Sequence, residues 1–434
     1  MPLLVNLTTK IGSGATPRGG KNAYKGGDFS LIRSQNVLDF SFSYGGLVKI
    51  NNEQANALSN VEVQIGDVLL NITGDSVARC CQVDPACLPA RVNQHVCIIR
   101  PNPQLLDSIF LKYFLLETNQ KQYLLTLASA GATRNALTKV MVQELEIPDI
   151  DVSQQKAIAH ILGTLDDKIE LNQKMNQTLE EIAKAIFKSW FVDFDPVRAK
   201  AEGRPTGLPP EISDLFPDEL VDSEIGEIPK GWGTAVVSSF GKVVCGKTPS
   251  TKDPENFDGQ FPFITIPDMR GNLLSLSADR SVSEKGADSL KGKMLPAGSI
   301  CVSCIATPGL VSVTTSDSFT NQQINSIVPT DETNREYLLF SMMTFGDLIS
   351  SAGSGGSVFA NLSTGRFKEL PILQPCEESR TTFSAIIRPM LQRIEVSQKE
   401  ISTLSELRDT LLPKLISGEL RIPDAEKFLQ GAGI

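Results

Sequence analysis

The chain has 434 residues, 41% hydrophobic and 21% charged, with a formal net charge of −9. That length allows two or three domains, each with a real core, and no apolar run reaches the roughly 18 residues a membrane span needs. The acidic balance excludes a generally polycationic nucleic-acid coat but not a contact face with its own local potential.

The first residues, MPLLVNLTTKIGSG, have no basic lead into an apolar stretch, so no secretory signal is read and the cytoplasm is the expected location. Residues 1–150 mix short strand patterns with turns. Strands are expected in 63–74 and 92–101, and a helix over 107–119. From Ser153 the period changes. An apolar seam runs Ile158, Leu162, Leu165, Ile169, then Asn172 and Asn176, then Leu179, Ala183, Ile186 and Trp190. Its steps of four and three are the heptad rhythm of a coiled coil. Ser153 to Trp190 is a helix of about 57 Å at 1.5 Å per residue. Residues 193–231 are rich in proline, glycine and acid, and read as an extended linker.

The order then repeats. Thr16-Pro17 recurs at Thr248-Pro249, an offset of 232 that also aligns Gly27 with Gly259, Phe29 with Phe261, Ile32 with Ile264 and Gly66 with Gly298. The offset is 228 for Asn93-Gln94 against Asn321-Gln322, and 225 for Ile169 against Ile394. Strands are expected in 295–306 and 320–329 and a helix in 334–343. A second seam follows through Phe383, Ile387, Met390, Ile394, Ser397, Ile401, Leu404, Arg408, Leu411 and Leu415. Pro389 inside it predicts a kink or a late helix start, and Pro413 a disturbed last turn. The two seams most simply bury each other, antiparallel, within one chain. Asn172, Asn176 and Ser397 would then fix register at some cost in stability. The fold class is α+β: a mixed globular unit at 1–150, a long helix at 151–192, the linker at 193–231, a second unit at 232–373, a second long helix at 374–422 and a tail at 423–434. An internal repeat of this kind suits a two-part target.

Few residues suggest catalysis. Gly241–Thr248 (GKVVCGKT) fits a phosphate-binding loop, and an ATPase using it is one alternative reading. Such a loop must open into a helix, whereas Pro249 follows and disfavours helical angles before it. Cys301-x-x-Cys304 lies in a strand-like run with no second pair, and reads as buried thiols rather than a zinc site. His95 and His160 read as partly buried imidazoles. No cofactor or metal site is expected.

The loops offer polar chemistry suited to base edges and phosphates. In the first copy these are Thr16, Arg18 and Lys21, then Arg33, Gln35 and Asn36, then Asn93, Gln94 and His95, then Arg134 and Asn135. The second copy presents Lys247, Thr248, Ser250 and Lys252, then Arg270, then Asn321, Gln322 and Gln323. A Gly/Ser loop at 353–357 and then Arg366 and Lys368 follow.

Three stretches carry a resemblance: QQKAIAHILGTLDDKIELNQKMNQTLEEIAKAIFKSWFVDFDPV (154–197), EIPKGW (227–232) and LRDTLLPKLISGELRIP (407–423). With the two Thr-Pro loops, they make the chain resemble the specificity subunit of type I restriction-modification systems over all but its tail. The first copy lacks the Pro-x-Gly-Trp lead-in of Pro229–Trp232. The resemblance implies two target recognition domains, each reading half of a bipartite double-stranded DNA site, held apart by the antiparallel helices. It implies a subunit that is not itself catalytic. Two methyltransferase subunits would dock on it and methylate adenine with S-adenosylmethionine; restriction subunits would translocate and cleave with ATP. The exposed helix faces, with Trp190 and Phe191, are expected to form the docking surface. The remaining alternative is a coiled-coil scaffold that bridges proteins without reading sequence.

Overall fold

The computed structural model describes residues 1–17, 24, 26–130, 135–305, 307–351 and 362–431, with residues 347–351 described by backbone alone. In chain order the first half runs β1 (Thr8–Ser13), β2 (Phe29–Ile32), β3 (Val48–Ile50), α1 (Asn52–Ala57), β4 (Glu62–Val63), β5 (Val68–Asn71), β6 (Cys80–Gln82), β7 (Ala90–Val92) and β8 (Val96–Pro101). Then come α2 (Ser108–Leu116), α3 (Thr118–Ser129), α4 (Lys139–Gln143) and the long helix α5 (Val152–Phe191). Two four-stranded sheets form, in the orders β1-β8-β5-β6 and β3-β2-β7-β4. Strand β5 is buried at every position, its apolar Val68–Leu70 followed by Asn71, whose Nδ2 donates to the Ser34 carbonyl at 2.9 Å.

The second half runs α6 (Asp195–Ala201), α7 (Pro210–Ser213), β9 (Leu220–Ser223), β10 (Gly226–Pro229), β11 (Gly233–Val236), β12 (Gly241–Cys245), β13 (Phe257–Ile264), α8 (Ile266–Met269), β14 (Leu274–Ser275), β15 (Ser281–Val282) and α9 (Glu284–Ser289). It continues through β16 (Ile300–Ser303), β17 (Val311–Thr314), β18 (Phe319–Thr320), β19 (Ile324–Pro329), α10 (Arg335–Ser351), α11 (Thr364–Lys368), β20 (Pro371–Gln374), the long helix α12 (Glu377–Ser417) and α13 (Ile422–Gly431). Its main sheet has the order β12-β19-β16-β17-β14. The first four strands repeat the order β1-β8-β5-β6. The parallel pair β2·β7 recurs as β13·β18, and the antiparallel pair β2·β3 as β13·β15. The repeat read from the sequence is therefore a repeat of topology.

The chain divides into two compact units: 1–171 with 400–434, and 172–399. Each long helix contributes one half to each unit. In the first, Ile158, Leu162, Leu165 and Ile169 of α5 share a core with Leu404, Leu411 and Leu415 of α12. In the second, Ala183, Phe187, Trp190 and Phe191 of α5 share a core with Phe383, Ile387 and Ile394 of α12. The early half of one helix always meets the late half of the other, so the pairing is antiparallel. Each buried Leu or Ile of the seam is worth about 1.5–3 kcal/mol. Helix α5 begins where the Asp151 carboxylate accepts the backbone N–H groups of Ser153 and Gln154, at 2.9 and 3.1 Å. Helix α12 ends at Gly418, whose φ of +77° suits a residue without Cβ.

Two local expectations fail. Helix α12 starts twelve residues ahead of Pro389 and runs unbroken past Pro413. Pro389 is exposed, as is Ala385 one turn earlier, so water can reach the carbonyl the proline leaves unbonded. The stretch 193–231 is not an extended linker either. It carries α6 and the β9–β10 hairpin, and buries Phe194, Val197, Phe216 and Ile228 in the second unit's core. The tail forms α13, which packs Ala425 and Leu429 into the first unit.

Candidate functional site

Strand β1 leads into the first Thr-Pro loop. Gly14 N–H donates to the Asn93 carbonyl at 3.1 Å, and a Cβ at Gly14 would stand 1.7 Å from the Val92 carbonyl oxygen. Only glycine lets the loop lie this close to the turn between β7 and β8. The contact places Thr16 Oγ1 to donate to Gln94 Oε1. Gln94 Nε2 lies 3.0 Å from His95 Nε2, and His95 Nδ1 lies 2.5 Å from Thr73 Oγ1. An amide nitrogen only donates, so His95 Nε2 accepts and Nδ1–H donates to the threonine. Thr16, Gln94, His95 and Thr73 thus form one hydrogen-bonded chain across exposed loops.

The second copy rebuilds the front of this arrangement. Gly246 N–H donates to the Ile324 carbonyl at 3.1 Å, and its Cβ would stand 2.2 Å from the Asn321 oxygen. Thr248 Oγ1 donates to Gln322 Oε1 at 2.9 Å. The asparagines do the same structural work in both copies: Asn93 Oδ1 accepts His95 N–H and Asn321 Oδ1 accepts Gln323 N–H, each at 3.0 Å. The glutamines are exposed, Asn93 is buried and Asn321 half-buried.

Not every sequence candidate can reach a ligand. Asn36 is fully buried; its Oδ1 accepts Arg33 N–H at 3.0 Å, and its Nδ2 donates to the Ser43 and Gly45 carbonyls at 2.9 and 3.2 Å. It staples a turn and does not read bases. Asp268 performs the matching task in the second copy, accepting Thr265 N–H at 2.7 Å. Asn93, at 6% exposure, and Asn321, whose Nδ2 donates to Gln323 Oε1 at 3.2 Å, are also spent on their turns. Arg33 donates to the Gly46 carbonyl at 2.5 Å, which holds its guanidinium against the loop. Trp190 and Phe191 are 3% and 5% exposed. Their rings meet Phe216, Trp232 and Phe383 with centroids 5.1, 5.8 and 5.3 Å apart, so they close a core and do not dock a partner. Arg18, Lys21, Arg134 and the 353–357 loop lie outside the described residues.

The accessible candidates group by unit. In the first, Gln35, His95 and Asn135 line a polar cleft of about 600 Å³ together with Ser34, Thr73, Asp75, Ser76 and Arg79. Arg79 and Asp75 were not singled out from sequence. Their signal was a charged turn, Gly74–Arg79, between two buried strands. In the second unit Lys247, Ser250, Lys252, Arg270, Arg366 and Lys368 are all exposed, as is Gln322, while Gln323 is half-buried. None of these five cations is ion-paired to a described residue, so their charge is available to an anionic partner. Exposed cations without ion pairs to described residues therefore coexist with a net charge of −9.

The loop at Gly241–Thr248 is not a nucleotide site. Residues 241–245 are strand β12, hydrogen-bonded to β19, and no helix follows Lys247. Pro249 is buried against the unit and blocks the turn a phosphate cradle needs. The Cys301 thiol is fully buried and pushed up to about 11 by that burial, so it stays protonated as part of the core. Among the described residues, no helix is long and apolar enough to cross a membrane.

The sequence model described as "Type I restriction modification DNA specificity domain" matches residues 9–181 and 229–406. The HindI specificity subunit of a type I restriction enzyme from Haemophilus influenzae is 34% identical, covering 92% of this chain and 95% of its own. The MjaIX specificity subunit from Methanocaldococcus jannaschii is 25% identical over 96% of this chain and 92% of its own. The crystal structure of a type I restriction-modification S subunit from M. genitalium superposes with a TM-score of 0.54 at 16% identity, covering 95% of each chain. That last likeness is one of fold.

Proposed function

The chain belongs to the family of type I restriction-modification DNA specificity subunits, and from that premise we propose how its two units divide the work. It is the subunit that gives such a complex its DNA sequence specificity. Each unit reads one half of a bipartite duplex target. The first uses the cleft of Gln35, Arg79 and Asn135, with His95 holding Gln94 in place; the second uses Gln322, Arg270 and the exposed cations Lys247, Lys252, Arg366 and Lys368. Arginine suits guanine and the amides suit adenine, while lysines and threonines hold phosphates. Helices α5 and α12 set the gap between the half-sites.

The chemistry resides in partners. Two methyltransferase subunits dock along the outer faces of the long helices and methylate adenine. Restriction and translocation subunits join them, and the assembly works in the cytoplasm, where the chromosome lies. Leu171 and Val396 hold equivalent positions in α5 and α12 and are 64% and 55% exposed, which supports one equivalent docking position for each of two partners.

The observation that carries this reading is the duplicated Thr-to-Gln bond on duplicated sheets. The test is a genome-wide map of modified bases in the host, with and without this gene. Two short specified segments separated by a fixed unspecified gap should disappear with the gene. A continuous motif, or no motif, contradicts the proposal.

A further inference from the structure

The two copies have diverged at several of the candidate loop positions. Gln35 is matched by Pro267, and His95 by Gln323. The pairs Thr16–Gln94 and Thr248–Gln322 are the exception: same residues, same hydrogen bond, same exposed glutamine. Two readers of different half-sites cannot tell them apart with residues they share. Shared side chains that are exposed, unlike the turn-bound Asn93 and Asn321, are suited to something the half-sites have in common.

The hydrogen bonds say what that is. Each threonine hydroxyl donates to Oε1 and holds the amide group in place. One Oε1 lone pair remains open in each case. Gln94 spends one amide hydrogen on His95 and keeps the other, and Gln322 keeps both. Each glutamine therefore presents an acceptor beside a donor on a pre-oriented edge. That pattern complements the N6 amino group and N7 of adenine. A phosphate, which offers only acceptors, would use the amide hydrogens and leave the Oε1 acceptor unmatched.

We infer that Gln94 and Gln322 each read one adenine that both half-sites contain, with Thr16 and Thr248 as positioning residues that hold the amide in register. Half-site identity is then left to the residues that differ, Arg79 and Arg270 among them. This inference rests on the DNA-reading function proposed above.

The test uses the chain assembled with its methyltransferase subunits and a duplex carrying the mapped target. Each half-site adenine is replaced in turn by 7-deazaadenine, which removes only the N7 acceptor. The wild-type complex should lose about 5- to 150-fold in affinity at one adenine of each half. Gln94→Ala and Gln94→Glu should each bind the unmodified duplex that much more weakly, with no added loss at that adenine in one half. Gln322→Ala should do the same for the other half alone. Thr16→Val should share the Gln94→Ala phenotype and Thr16→Ser should restore binding. The inference is overturned if the glutamine variants keep the full 7-deazaadenine penalty, or weaken target and scrambled duplexes alike, as a backbone contact would. A wild-type complex with no preference for target over scrambled DNA sinks the functional reading itself and the inference with it.

Discussion

Asp166 on α5 and Arg408 on α12 meet at 2.8 Å, 242 residues apart in sequence. Lys112 Nζ and the Tyr113 hydroxyl also donate to Asp166, at 3.0 and 2.6 Å, and the Arg408 guanidinium stacks 3.4 Å from the Phe40 ring centroid. Burial first, then Asp166, pushes the Tyr113 hydroxyl far above its ordinary range, so it remains a donor. In the other copy the seam positions equivalent to Asp166 and Arg408 are Leu391 and Ala183, both buried. At these two positions one unit uses ions where the other uses hydrocarbon.

The asymmetry of that cluster makes a ranked prediction. Asp166→Ala leaves the buried Lys112 without an ion partner and Arg408 with Asp409 alone, and should cost about 3–5 kcal/mol. Arg408→Ala leaves Asp166 held by Lys112 and Tyr113 and should cost less. Urea denaturation of the three proteins checks the order; an equal or reversed ranking would mean that Arg408 does the holding.

A pH dependence follows from Glu336, which is fully buried and bonded to Arg388 Nε and Nη2 at 3.0 and 3.1 Å. Burial raises its pKa, but Arg388 and Arg335 outweigh burial and the net shift is downward from 4.5. A depressed folded-state pKa contributes stability above the unfolded value that is lost as pH falls through the folded one. The stability gap between wild type and Glu336→Gln should therefore be constant from neutral pH to about 5 and shrink below 4.5. Thermal melts from pH 7 to pH 3 measure it, and a gap that widens on acidification would refute the assignment.

Glycine substitution separates close approach from open space. Gly246→Ala puts a methyl group 2.2 Å from a backbone oxygen and should destabilise by about 1–3 kcal/mol. Gly365→Ala meets nothing within 4 Å inside α11 and should be neutral or gain up to about 1 kcal/mol. A thermal shift assay reads both changes.

Ser397, fully buried in the second seam, has no hydrogen-bond partner for its Oγ among the described residues. Ser397→Ala should raise stability by about 1 kcal/mol. A loss in chemical denaturation would show that the hydroxyl is satisfied and that the polar seam is held for more than register.

The long-range architecture was legible because it rests on periodicity. The steps of four and three from Ile158 to Trp190, repeated 225 residues later, predicted two paired helices, and both formed. The Thr-Pro and Asn-Gln pairs located the loops that meet in each unit. Burial of single residues was not legible. Trp190 and Phe191 have the composition of a docking patch, and only the fold of 193–231, with Phe216, Ile228 and Trp232, shows that they are covered. Asn36 has the chemistry of a base reader, but its bonds to a turn seven to nine residues away decide otherwise. The Asp166 cluster joins groups from three distant segments, a pairing that spacing alone does not encode.

The central claim is that the two units read independently. Modified-base maps from hosts carrying wild type, Arg79→Ala and Arg270→Ala test it most directly. Each substitution should relax the specified bases of one half-site only, at about 1–3 kcal/mol for the lost contact, with the gap and the other half unchanged. If a single substitution alters both halves, or changes the gap, the account of two separate readers is wrong.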